Sequence, residues 1–122
     1  MGSSVVILES DPRVAQSLAG KLSSQFRVVH LTCSGDELRQ HVANSRPEAV
    51  VLDMEYSRLT DVQSLRHDFP SLPIVCTHRV PDEDLWIAAM EAGASDVCPA
   101  DDIQNVLTSV LRSLAVAQGA AA

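Results

Sequence analysis

Short apolar runs alternate with amphipathic stretches along the whole chain. Residues 49–52, Ala-Val-Val-Leu, form the clearest run, unbroken and β-branched. A run this short and continuous predicts a strand buried on both faces, as in a parallel sheet with helices above and below. Asp53 closes it, followed by Met54 and Glu55. A carboxylate at the carboxyl end of such a strand stands at the edge where open α/β sheets place their ligands. Similar runs over 5–8, 26–31, 73–77 and 96–98 predict four more strands.

The stretches between them carry helix signals. Asp11 before Pro12 predicts an N-cap with proline in the first turn. Val14, Leu18 and Leu22, spaced by four, then mark a buried stripe ending near residues 23–25. Ser34 and Glu37 have capping-box spacing, and a helix with Leu38 and Val42 must stop before Pro47. Residues 54–61 lack a period and are expected to form a loop. A helix with Val62, Leu65 and Phe69 follows and ends at Pro70. Residues 81–84 open a fourth helix, with acids at its positive end, running through Leu85, Ala88, Ala89 and Ala92 to the C′ glycine Gly93. The last helix begins at Asp101 or Asp102 and has the strongest period, from Ile103 through Val106, Leu107, Val110 and Leu111 to Leu114. A single domain over 1–122 is expected, with its core at about 4–115 and a fraying tail over 116–122. Five strands alternating with five helices predict a doubly wound, flavodoxin-like α/β fold with parallel strand order 2-1-3-4-5. That order brings Glu9-Ser10-Asp11 and Asp53-Met54-Glu55 to one switch point.

Composition narrows the partners. The 122 residues are 46% hydrophobic, enough for one core without staples. A net charge of −7 and only nine scattered Lys and Arg argue against nucleic acid. No apolar run reaches membrane-spanning length, and residues 1–4 carry no basic signal region. Gly2 fails as an acylation site because residue 6 is Val. The cysteines at 33, 76 and 98 lack metal spacing, and Cys76 and Cys98 lie in strand runs, so they are read as small buried hydrophobes in a reducing, cytoplasmic setting. His30, His41, His67 and His78 have no spacing that pairs them as ligands.

With Asp53 closing the third strand and Glu91-Ala92-Gly93-Ala94-Ser95-Asp96-Val97 before the fifth, the chain resembles the receiver domains of two-component response regulators, from Val5 to about Leu114. The resemblance implies five working positions. Two adjacent acids after strand one hold Mg²⁺, and an Asp after strand three takes the phosphoryl group. A hydroxyl residue after strand four and a Lys after strand five read it out. Here Glu9 and Ser10 stand at the acidic pair, and Asp53 keeps the acceptor position. Counted from Gly93, His78 falls at the hydroxyl position, with Thr77 one residue earlier and expected to point away. Ala100 replaces the Lys, and Tyr56-Ser57-Arg58-Leu59-Thr60-Asp61 replaces the family's Met-Pro-Gly loop.

The leading reading is therefore an atypical or pseudo-receiver with a degraded phosphorylation site, working through protein contacts and lacking an effector domain in this chain. It is not an enzyme beyond slow autophosphorylation and autodephosphorylation. With Lys absent, Glu9, Asp11, Asp53 and Glu55 repel one another, and a raised carboxyl pKa is expected among them. A second reading keeps Asp53 as acceptor from a histidine kinase, with Glu9, Asp53 and Glu55 holding Mg²⁺ weakly. A third, a flavodoxin-type cofactor or metabolite binder, has little support from so short and acidic a first loop. Asp11 is accounted for by capping, and Glu55 is equally readable as a solvated loop acid. Trp86 and Met90, spaced by four on the fourth helix, are either exposed together or packed along its edge. In receivers the fourth helix, fifth strand and fifth helix form the output or homodimer surface, so the implied partners are a histidine kinase, an output protein or a second copy.

Overall fold

The computed structural model describes residues 3–121, with side chains as far as Gly119. The excluded acylation site at Gly2 and the final residue of the expected tail, Ala122, lie outside the described residues. The elements run β1 (Ser4–Leu8), α1 (Pro12–Leu22), β2 (Val28–Thr32), α2 (Gly35–Ser45), β3 (Ala49–Asp53), α3 (Leu59–Asp68), β4 (Ile74–His78), α4 (Glu83–Ala92), β5 (Asp96–Pro99) and α5 (Ile103–Ala121). All strand pairs are parallel, in the order β2-β1-β3-β4-β5. The doubly wound fold and its strand order are as the sequence predicts.

Strand alternation divides the core into two layers. Val6, Leu8, Val50, Leu52, Ile74 and Cys76 pack with Leu38, Val42, Val62, Leu65, Ala89 and Ala92, beneath α2, α3 and α4. Val5, Ile7, Ala49, Val51, Val75 and Cys98 pack with Leu18, Leu22, Val106 and Val110, beneath α1 and α5. Cys76 and Cys98 are buried free thiols in this apolar setting, and burial pushes Cys76 up to about 12.

The caps follow the residue chemistry. Asp11 accepts the Arg13 amide at 2.9 Å, and Ser34 accepts the Glu37 amide at 3.2 Å. Glu37 reaches back one residue past the cap, to the Cys33 amide at 3.3 Å, so the box is offset. Arg46 ends α2 in the left-handed region, with φ 46°, because the residue before Pro47 is driven out of the helical region.

Some boundaries differ from expectation. Strand β2 starts at Val28, not Phe26, because the Phe26 amide still bonds the Leu22 carbonyl at 2.9 Å and its ring plugs the α1 layer. The loop after β3 is shorter than residues 54–61. Helix α3 already begins at Leu59, since Asp61 accepts the Arg58 amide at 2.8 Å and fixes the first turn. Strands β4 and β5 each extend one residue further, through the His78–Pro99 pair. Of the tail expected over 116–122, residues 116–121 are helical and complete α5. Alanine, the strongest helix former, dominates that stretch. No described helix is long and apolar enough to cross a membrane.

Candidate functional site

Strand register places the site residues. Leu8 pairs with Leu52, so the next residues, Glu9 and Asp53, stand side by side. Asp53 pairs with Thr77, and Thr77 with Cys98. By alternation Glu9, Asp53, Thr77 and Cys98 form one row on the α1/α5 face. The expectation that Thr77 points away from Asp53 is therefore corrected: partners in register project to the same face. Residue 78 falls on the opposite face.

Asp53 is 1% exposed. One carboxylate oxygen accepts the Ser10 amide at 2.9 Å, and the other accepts the Glu55 amide at 2.9 Å. Glu9 accepts the Asp11 amide at 3.1 Å and the Ser10 hydroxyl at 3.3 Å through Oε2, while its Oε1 is buried without a partner. The Glu9 carboxyl is pushed up to about 7. Burial is the first cause, and the neighbouring charge of Asp53 adds to the rise, against the Asp11 amide and Ser10 hydroxyl. A raised carboxyl is thus present, with desolvation rather than repulsion as its main origin. The Thr77 Oγ1 is also buried without a partner, as is the Ser57 hydroxyl.

Glu55 does not join this row. Its Oε1 accepts the Arg79 amide at 3.2 Å and the Arg79 Nε at 2.9 Å, and stands 3.9 Å from the His78 Nε2. The expected set of Glu9, Asp53 and Glu55 around a metal is therefore not assembled. Among the described residues no three His, Cys, Asp or Glu side chains are placed to hold an ion. Glu9 and Asp53 alone fit Mg²⁺, which binds through one or two carboxylates and keeps several waters. The unpartnered Glu9 Oε1 is a free oxygen for it.

His78 accepts the Val80 amide at 3.0 Å through Nδ1. Ala100 is 4% exposed, and its amide donates to the His78 carbonyl at 2.9 Å. Its methyl brings no charge to the row. The Asp11 side chain caps α1. The rings of His30 and His41 do meet, with centroids 4.7 Å apart, although spacing did not pair them. Trp86 is 46% exposed beside Ile87 at 41%, whereas Met90 is half-buried against the α2/α3/α4 layer. The exposed pair on α4 is Trp86 with Ile87, because the face between Leu85 and Ala89 turns Met90 inward. Arg79 was missed from the sequence; its place directly after a strand end was the available signal.

No family model matches the chain. It is 31% identical over 113 residues to the response regulator MprA of Mycobacterium sp. strain KMS, covering 90% of this chain and 49% of that protein. The MprA of Mycobacterium ulcerans is 29% identical over 117 residues, covering 93% and 50%. A response-regulator structure from Chloroflexus aurantiacus superposes with a TM-score of 0.82 at 25% identity, over 94% of this chain and 99% of that one. The chain is a receiver domain. The BeF₃-activated receiver domain of DrrB shares the fold, with a TM-score of 0.81 at 19% identity over 94% and 99% of the two chains. The receiver domain described here spans about half the length of the curated relatives it matches. The relatives and the Chloroflexus neighbour it matches are response regulators.

Proposed function

We propose that this receiver domain signals through protein–protein contact and that its phosphorylation site is degraded. The observation that carries the reading is the row around Asp53. It holds two carboxylates and no cationic side chain, with Ala100 buried at the Lys position and Ser10 at the second acid. Phosphoryl transfer rests on positioning and on neutralising charge at the transferring group. Removing a fixed ammonium and a metal-binding carboxylate together takes away both supports. Glu9 and Asp53 would hold Mg²⁺ weakly, and the ion would supply charge neutralisation there. The buried, amide-bonded Asp53 carboxylate and its neighbour Glu9 support the alternative of an impaired acceptor served by a histidine kinase. The proposed partners are such a kinase or an output protein, meeting the face that carries Trp86 and Ile87 on α4, with a second copy as the homodimer alternative. A cytoplasmic setting agrees with the free thiols.

The test is incubation with acetyl phosphate and Mg²⁺, read by intact mass. The wild-type chain is expected to show no stable addition of a phosphoryl group, and Ser10→Asp/Ala100→Lys to gain it. Stable addition to the wild type, lost in Asp53→Asn, would establish the acceptor reading instead.

A further inference from the structure

We propose that the cleft at the amino-terminal edge of β4 and β5 binds a small monocarboxylate with an apolar body. The cleft has a volume of about 560 Å³, inside the range of about 300–1,000 Å³ typical of small-ligand sites. Leu72 and Val116 contribute apolar wall, and Arg66 and Arg112 bring two guanidinium groups to it.

Arg66 is held rigidly. Its Nε donates to the Gly93 carbonyl at 2.9 Å, its Nη1 to the Pro70 and Phe69 carbonyls at 2.8 and 3.3 Å, and its Nη2 to the Ser95 hydroxyl at 3.4 Å. A guanidinium has five N–H groups, so one on Nη2 is left with a fixed direction. Arg112, on α5, makes no ion pair among the described residues. Asp96 also lines the cleft, but both its oxygens are taken, by the Val97 amide at 2.8 Å and by the Ser109 hydroxyl. The cleft is therefore rich in donors and carries a positive excess, in a chain whose net charge is −7. Two arginines against one aspartate balance a single negative charge. A carboxylate has two oxygens for the planar fork of Arg112 and the one remaining Nη2 N–H of Arg66, and a dianion exceeds the charge present. The ligand would bridge Arg66 on α3 and Arg112 on α5. This inference is independent of whether Asp53 accepts phosphate, since the cleft lies at the other edge of the sheet.

The experiment is an amide NMR titration of the full chain with octanoate, compared with acetate, 1-octanol and inorganic phosphate. Octanoate is expected to shift amides within 66–73, 95–96 and 112–117, with acetate and 1-octanol at least about tenfold weaker. Arg112→Gln is expected to weaken octanoate about tenfold, the scale of a lost charge-assisted hydrogen bond, without moving the melting temperature, because Arg112 is exposed. The proposal is overturned if octanoate leaves these amides unmoved or binds Arg112→Gln as tightly as wild type. It also fails if phosphate or 1-octanol matches octanoate at the same amides.

Discussion

At the carboxyl edge of the sheet Asp53 and Thr77 are almost wholly buried, Glu9 adds a second acid, and no cationic side chain enters the row. At the amino edge a cleft stands open, lined by Arg66 and Arg112. Both edges belong to the same parallel strands, so the difference comes from the helices. Helices alternating with parallel strands begin at the carboxyl edge and end at the amino edge. Unpaired amides gather where helices begin, and unpaired carbonyls where they end. Acids are favoured at the first and cations at the second. Asp11, Asp82 and Asp102 cap helices at the acidic edge. Arg66 gathers the carbonyls of Phe69 and Pro70 at the other edge, just past the end of α3. The electrical polarity of this receiver domain is thus a property of its topology.

The contrast breaks most sharply at Gly93. Its φ is 120°, and a methyl there would lie 2.7 Å from the Cβ and Cγ of Arg66. Gly93→Ala is expected to cost about 3 kcal/mol, from backbone strain plus the collision, read as a lower urea midpoint at unchanged slope. A shift no larger than that of a surface substitution would show that Arg66 does not bind this turn as described. A smaller effect concerns the acidic edge and pH. Glu9 titrates near 7 in the fold against 4.5 ordinarily. Between those values the unfolded chain has released the proton that the fold retains, so stability falls as pH rises across that window and stays lower above it. Part of Glu9 is solvated, so screening holds the loss to on the order of 1 kcal/mol. Glu9→Gln is expected to flatten the slope of stability between pH 4.5 and 7 in chemical denaturation, and an unchanged slope would assign it elsewhere. The smallest effect belongs to neither edge. Trp86→Ala on the exposed side of α4 is expected to move stability by about 0.5 kcal/mol, so that a loss of partner binding in this variant reports the lost contact and not unfolding. If it unfolds the chain, the indole is structural and the contact role falls.

The sheet was readable because each strand is a compact apolar run and most helices announce their caps, as Asp11-Pro12 and Ser34 do. The meeting of Glu9 and Asp53 followed from strand order alone. Other features depend on contacts between distant residues. Glu55 read equally as a metal ligand and as a loop acid, and Arg79, 24 residues away, takes its oxygen. Spacing left Met90 open between exposure beside Trp86 and packing along the helix edge, and it packs against the core beneath α4. Thr77 was misjudged because its facing depends on register with β3, not on its distance from Gly93. Arg66 carried no sequence signal, because its partners at Gly93 and Ser95 lie 27 and 29 residues away.

Helix α5 has 19 residues against four in β5, about 28 Å of rod over about 13 Å of strand. It is gripped through Val106 and Val110, both fully buried, while Val116 is 67% exposed. The rod therefore has a fulcrum near its acidic end and a long free arm at its basic one. A tilt of a few degrees about Val110 displaces Val116, about 9 Å away along the axis, by roughly half an ångström, in the gap facing Leu72. Mechanically the helix is a beam seated at Val106 and Val110, so the position of the cleft's far wall follows from how those two residues sit on the sheet.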